Sequence, residues 1–313
     1  MNVFERIKQF PYILAPLAGY TDMPFRMIAK HYGASLVFTE MINEHGLARF
    51  SDKIKKIYEY NESERPIGIQ IFGKSGGLFY EAAQKAESLG FDIIDINFGC
   101  PAGRIANGGS GASLLRDLSV VENIIKQTVS AVKKTPVSIK IRSGWDEKSK
   151  NYLEVNKIAE DCGVSMITLH PRTRTQMFRG NAAWDEIKEL KENSKLFVAG
   201  SGDVFTADDA LRMKKETGVD AVMIARGAIA APYIFRQITE PGFELSREEA
   251  VKLSIKHLDM LYEFKGQKGI FEMRKYYKKY IKSFAGVGDM RKTLMVMEDY
   301  GEIRKLLEKL QEG

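Results

Sequence analysis

Eight short apolar runs, each followed by a stretch able to pack one side against it, narrow the fold of this chain more than any other feature. They cover residues 12–15, 35–39, 67–72, 93–96, 137–141, 166–169, 196–199 and 221–224. Most are rich in Ile, Val, Leu or Phe without strict polar alternation, the pattern of strands buried on both faces. Segment 75–89 places Leu78, Ala82, Lys85 and Leu89 near one helical face with Ala83 and Ala86 beside it, and 118–132 aligns Val121, Ile124, Ile125, Thr128 and Val132. Segments 151–162 and 206–217 are similar, with Gly163 and Gly218 as C-terminal stops. Strand and helix alternating eight times predict an α/β fold, a parallel (β/α)8 TIM barrel. An open doubly wound sheet is the competing arrangement, but no glycine-rich dinucleotide turn follows the first run.

Past Pro241-Gly242 the pattern changes, and no convincing strand is legible from residue 246 onward. Three or four helices are expected there, broken near residues 266–269, 286–288 and 301. The chain thus divides into a barrel domain, residues 1–240, and a C-terminal all-helical domain, residues 241–313. The second carries a net +3, half of the chain's +6 in under a quarter of its length. On a helix Arg274, Lys275, Lys278, Lys279 and Lys282 share a broad face. That face is either a surface that neutralises phosphates or a solvated face whose neighbouring tyrosines pack inward.

Composition removes several other classes. With 313 residues, 44% of them hydrophobic, the chain can bury one large core and a smaller one. No run approaches the roughly 18 apolar residues of a membrane span. The start, Met1-Asn2-Val3-Phe4-Glu5-Arg6, is charged where a signal peptide has its apolar core. Cys100 and Cys162 lie far apart and form no CxxC pair, so neither a disulfide framework nor a cysteine zinc site is expected. A reducing cytoplasm fits. Four histidines form no HxH or HExxH pair, and no metal is expected. A pI of about 9.0 permits a polyanionic partner without requiring one.

In a parallel barrel, chemistry sits where strands end. The chain ends its strands with an unusual polar set: Asn97 and Cys100 after the fourth, Lys140 and Arg142 at the fifth, and His170, Arg172 and Arg174 after the sixth. Gln70 lies near the end of the third. A thiol on such a loop can serve as nucleophile or proton donor. Lys140 can neutralise an anion or form a Schiff base. The last two loops, Gly200-Ser201-Gly202-Asp203 and Ala225-Arg226-Gly227, suit a phosphate cradle: glycines expose N–H groups and Arg226 adds charge. Gly108-Gly109-Ser110-Gly111-Ala112 does not fit the GxGxxG spacing and reads as a flexible rim segment opening a helix.

Taken together, six segments in order resemble the tRNA-dihydrouridine synthase family over nearly the whole chain. They are residues 15–22 (APLAGYTD), 70–73 (QIFG), 97–101 (NFGCP), 140–145 (KIRSGW), 170–174 (HPRTR) and 225–227 (ARG). The resemblance implies FMN in the barrel and tRNA across a surface completed by the helical tail. It further implies backbone contacts from Pro16, Leu17 and Ala18 beneath the flavin, Gln70 on a polar edge of its ring, Lys140 near N1 and the C2 carbonyl, and His170 toward the phosphate. Ser201, Gly202, Asp203, Ala225, Arg226 and Gly227 would surround phosphate and ribityl. Asn97, Arg142 and Phe178 would place the target uracil, Arg172 and Arg174 would meet RNA phosphate at the rim, and Cys100 would donate a proton. Where the family often has Asn in the seventh loop, this chain has the shorter Ser201.

The implied reaction has NADPH (or NADH) reduce FMN, hydride pass to C6 of uracil, and Cys100 protonate C5. The base must leave the RNA stack to reach the ring. Three alternatives differ in testable ways. An FMN barrel dehydrogenase would act on a free pyrimidine or dihydroorotate, an aldolase would use Lys140 as a Schiff base, and a non-catalytic RNA-binding protein would carry no flavin.

Overall fold

The computed structural model describes residues 3–281 and 287–312. Eight strands, β1 (Tyr12–Leu14), β2 (Val37–Asn43), β3 (Ile67–Phe72), β4 (Ile93–Phe98), β5 (Val137–Arg142), β6 (Met166–His170), β7 (Phe197–Ser201) and β8 (Ala221–Ile224), pair in parallel in the order β1-β8-β7-β6-β5-β4-β3-β2. The sheet curls until its ends meet. At the β1–β2 seam Leu14 N donates to Leu36 O and Ser35 N to Tyr12 O. With the lumen on one side and the helices on the other, the strands are buried on both faces, which is why they read as continuous apolar runs.

Two apolar layers hold the barrel. Its lumen is filled by Ile13, Leu36, Phe38, Ile93, Met166, Ala199, Ala221 and Met223. The Val3–Gln9 helix covers the end where strands begin, adding Val3 and Ile7 to that cluster, with Phe4 against Phe197 at 5.3 Å. Outside, the helices pack on the sheet. In the Leu118–Ala131 helix the expected stripe is the buried one, with Ala131 in place of half-buried Val132. The Gly76–Ser88 helix differs: Phe79, Ala82, Ala83 and Ala86 face inward, while Leu78, Lys85 and Leu89 sit at the margin. Phe79 has the largest side chain of that buried set, and it turns the helix by about one residue from the expected face. Gly163 and Gly218 follow their helices in left-handed backbone, as expected.

The second strand departs most from expectation. It runs over Val37–Asn43 rather than 35–39, because the ladder to β3 slips between Phe38 and Met41. That irregularity admits polar Thr39, Glu40 and Asn43 and hides the strand from an apolar-run criterion. Only short helical turns, not one long helix, join β2 to β3.

From Arg247 the described chain is helical: Arg247–Lys265, Gln267–Tyr280, Val287–Val296 and Tyr300–Glu312. Ser246 and Glu249 form a capping box at the first helix. Gly266 makes the first break, whereas Gly269, Gly288 and Gly301 lie inside helices. Gly286 is outside the described residues. The first two tail helices seat on the barrel. Tyr276 stacks on Phe25 at 5.5 Å, His257 approaches Tyr276 at 4.4 Å, and Lys265 bridges Asp22 (2.6 Å) and Glu272 (2.7 Å). These aromatics belong to the same apolar cluster as the barrel's outer layer. Among the described residues no helix is long and apolar enough to cross a membrane.

Candidate active site at the barrel mouth

The strand ends open into one cavity of about 1000 Å3, counted out to its mouth. It is lined by Pro16, Leu17 and Ala18 of the first loop, by Gln70, Asn97, Cys100, Lys140 and Arg142, and by His170, Phe178, Ser201, Gly202, Asp203, Ala225 and Arg226. Sequence reading had named every one of these. Met41, Val204, Phe205 and Met223 line it too and were missed, since nothing in their residue types signals a site.

Cys100 sits on a loop held from two sides. Asn97 Oδ1 accepts from Gly99 N (3.0 Å) and Cys100 N (2.8 Å), while Arg142 Nε donates to Gly99 O at 2.9 Å. Gly111 allows the loop to fold back: a Cβ there would lie 2.9 Å from Cys100 O. Burial raises the thiol's pKa, against the lowering effect of the Ala102 N–H, Arg142 and Lys140. A thiol starting near 9 and pushed up keeps its proton at neutral pH.

Below Asn97 lies a polar network. Asn97 Nδ2 donates to Gln70 Oε1 (2.8 Å), Gln70 Nε2 to Asp95 Oδ2 (2.7 Å), and Ser138 Oγ to Asp95 Oδ1 (2.7 Å). Asp95 and Ser138 were not singled out from sequence, although polar residues inside otherwise apolar strands are a readable signal. Burial lifts Asp95 to a pKa of about 6 against the hydrogen bonds from Gln70 and Ser138.

The cavity is cationic. Burial, then neighbouring Arg142, lowers Lys140 to about 8. Arg142 is lowered to about 10 by burial and by Arg172. It spends Nη1 on Thr173 O (3.0 Å) and Met177 O (2.8 Å), which leaves Nη2 for the cavity. Burial and then Lys140 hold His170 well below the ordinary histidine range, so it is neutral. Its Nε2 lies 3.4 Å from Arg172 Nη1, and a guanidinium only donates, so Nδ1 carries the ring proton. Arg226 lies between the exposed rings of Phe178 (5.0 Å) and Phe205 (4.9 Å).

Four expected contributors have other duties. Arg172 does not reach the rim: its side chain is 2% exposed and bonds Asp203 at 2.6 and 2.9 Å and the carbonyls of Arg179 and Gly180. With His170 Nε2 the guanidinium has five acceptors for its five N–H groups, and nothing is left for RNA phosphate. Arg174 packs over the Trp145 ring at 4.9 Å, outside the cavity lining. The Asp203 carboxylate accepts from Arg172, Arg226 and Ala182 N, which hold its pKa below the usual range despite burial. What Asp203 can offer a ligand is its backbone N–H. Gly227 does not line the cavity but lets the last two loops touch, since a Cβ there would fall 2.6 Å from Val204 O.

The residues present suit a phosphate-bearing, flat, anionic group. The N–H groups of Asp203 and Val204 meet no acceptor in the described protein, helix-start N–H groups follow at Arg226–Ala230, and Lys140 has no ion pair among the described residues. Ser201 is buried on the cavity wall.

A closed parallel barrel with its polar residues gathered at the strand ends defines a barrel enzyme. Comparison with known proteins makes this specific. The family model "Dihydrouridine synthase (Dus)" matches residues 13–312. The chain is 36% identical over 302 residues to the probable tRNA-dihydrouridine synthase 1 of Synechocystis sp., covering 94% of this chain and 84% of that one. It is 38% identical over 271 residues to tRNA-dihydrouridine synthase B of Shewanella oneidensis, covering 84% of each. The chain belongs to the dihydrouridine synthase family and is an oxidoreductase. Solved structures share its fold at low identity. A histamine dehydrogenase from Rhizobium sp. 4-9 has a TM-score of 0.56 at 16% identity, over 83% of this chain and about half (51%) of that one. The old yellow enzyme from Trypanosoma cruzi has a TM-score of 0.55 at 13% identity, over 75% of this chain and 89% of that one.

Proposed function

We propose that this protein reduces the C5=C6 bond of uridines in tRNA, with FMN in the barrel mouth and Cys100 as proton donor. One observation carries the reading: a protonated, half-buried thiol shares a single cavity with Lys140, His170, Arg226 and the unpartnered N–H groups of the 203–204 turn. Those groups and Ser201 would hold FMN, and Pro16, Leu17, Ala18 and Gln70 would complete its bed. When bound, FMN supplies the hydride for C6, itself reduced by NADPH or NADH.

The chain's own residues do the rest. Cys100 delivers its proton to C5, and Lys140 and Arg142 stabilise the thiolate that remains. Arg142 Nη2 is placed to bond a uracil carbonyl. Phe178, 52% exposed over Arg142 and Arg226, offers a ring on which a base drawn out of the RNA can stack. Residues 241–313 act as a helical tRNA-binding domain. In this reading Lys278 is the exposed cation of the Arg274–Lys279 run, while Arg174 contributes to the rim's outer edge. The cytoplasm is the compartment that the reading implies.

The test is a visible spectrum of the purified protein followed by an assay on unmodified tRNA. Flavin bands, FMN on release and dihydrouridine in the product are expected. A colourless protein that FMN cannot reconstitute, or reduction of free uracil in preference to tRNA, would overturn the reading.

A further inference from the structure

We infer that Asp95 is a positioning residue for the Cys100 thiol: it fixes the orientation of two side-chain amides in series, and the second of these fixes the loop that carries the sulfur. The inference deepens the reading above, since it rests on Cys100 as proton donor. Asp95 faces the barrel interior with no exposed surface, in register with Gln70 of β3 on one side and Ser138 of β5 on the other. Asn97 follows two residues later on the same face of β4 and is in register with Lys140.

Hydrogen-bond polarity runs one way through this set. The Gly99 and Cys100 N–H groups can only donate, so the oxygen of Asn97 must face the loop. Its nitrogen then faces Gln70, whose oxygen must turn toward it, and the Gln70 nitrogen is left facing Asp95. A carboxylate accepts at both oxygens, so Asp95 ends the series with the required polarity and takes the Ser138 hydroxyl as well. Without an acceptor at position 95 the Gln70 amide can adopt two orientations, the native one now held from the Asn97 side alone. In one of them its nitrogen meets the nitrogen of Asn97, which would drive the Asn97 oxygen away from the cysteine loop.

Charge and hydrogen-bond polarity are separable here. Asp95→Asn loses the charge beside Lys140 yet keeps an oxygen for Gln70, because its amide nitrogen can donate to Ser138 Oγ. Asp95→Leu removes both. Gln70→Met cuts the series above Asp95 and leaves the carboxylate with Ser138.

The first readout needs neither turnover nor RNA: iodoacetamide alkylation of Cys100 at fixed pH and matched FMN content, followed on the Cys100 peptide by mass so that Cys162 does not interfere. Asp95→Leu and Gln70→Met are expected to react about fivefold faster than the parent protein as the loop loosens, and Asp95→Asn within about twofold of it. On tRNA, the first two variants should lose about tenfold or more in kcat with KM little changed, and Asp95→Asn should recover most of the rate. Parent-like alkylation in Gln70→Met, or an Asp95→Asn as reactive as Asp95→Leu, would overturn the inference. If Asp95→Leu does not melt cooperatively, Gln70→Met decides alone. A parent protein that forms no dihydrouridine would sink the proposed function and leave the alkylation result standing.

Discussion

The barrel mouth and the tail helix Gln267–Tyr280 are both rich in cations, and they use them in opposite ways. In the mouth, Lys140 and Arg142 are withdrawn from water, crowd one another and have pKa values pulled down by burial. On the tail helix Lys275 donates to Gly19 O and lies near Glu272, Lys279 lies over Tyr20, and Arg274 stacks on Phe271 and bonds Met297 O. The broad basic face expected from sequence is therefore divided. Lys275 and Lys279 help seat the helix on the first barrel loop, Arg274 turns to the next tail helix, Lys278 is exposed, and Lys282 lies outside the described residues. A run of basic residues says little about binding. Desolvation without a carboxylate partner says much more, and of these two regions the mouth shows it.

The largest separation between the two regions should come from Cys100→Ala. Dihydrouridine formation should fall at least about a hundredfold, the scale of a lost general acid, while tRNA affinity stays within about twofold. Nucleoside analysis by mass spectrometry and a filter-binding assay check the two halves. Full activity in this variant would remove the thiol from the mechanism and with it the chemical distinction of the mouth.

Next in size is Arg172→Ala, which treats the mouth as a folded structure rather than a charge cluster. Removing a buried guanidinium leaves two carbonyls without this donor and Asp203 with only Arg226 and Ala182 N, at a cost of about 1–3 kcal/mol for each group left unsatisfied. Thermal melting and FMN retention should both fall. Were Arg172 a phosphate contact at the rim instead, stability would hold and only tRNA affinity would change.

Most of the barrel was legible because its physics is local: apolar runs mark strands, and periodic stripes mark helices. The slip in β2 was not legible, because a bulge is defined by its neighbour strand and not by its own residues. At the site, residue types announced Cys100, Lys140 and His170. They could not announce that Arg172 would be consumed by Asp203, or that Asp95 would stand beneath Gln70, since both depend on which strands lie side by side. In the tail the same limit applied more strongly. Whether a lysine faces RNA or a barrel loop is decided by docking, and Gly19 lies 256 residues before the Lys275 that it meets, as Tyr20 does before Tyr276.

Acid titration offers a subtler contrast between one buried group of each region, His257 and Asp95, which act with opposite sign, while buried neutral His170 in the mouth acts in the same direction as His257. His257 in the tail interface is held at about 3 by burial and then by Lys275 and Lys265, below its unfolded value of 6.5. The unfolded chain therefore binds the extra proton, and stability from this group is lost as pH falls from about 6.5 toward 3. Asp95 in the mouth is raised from 3.8 to about 6, so the folded state holds the extra proton and stability from this group is lost as pH rises through that window. Each effect is on the order of a few kcal/mol. Denaturant melts between pH 4 and 7 should show His257→Phe flattening the acid-side loss and Asp95→Asn flattening the loss on the other side. Identical slopes for both variants would mean that neither burial governs the local pKa.

The smallest expected effect probes the exposed part of the tail. Lys278 is the one member of the described basic run whose residue is exposed, so its ammonium stays hydrated and adds little to folding. If it meets a tRNA phosphate, its removal releases about one counterion fewer on binding. Lys278→Ala should then weaken tRNA binding about two- to threefold near physiological salt and lower the slope of log K against log salt by about one, with melting temperature unchanged. Lys275→Ala makes the complementary comparison. Its ammonium is committed to Gly19 O beside Glu272, so the loss should appear first in the seating of the helix on the barrel and only through that in RNA affinity. A salt slope that falls for Lys275→Ala and not for Lys278→Ala would invert the assignment, making the seated face the one that tRNA reads.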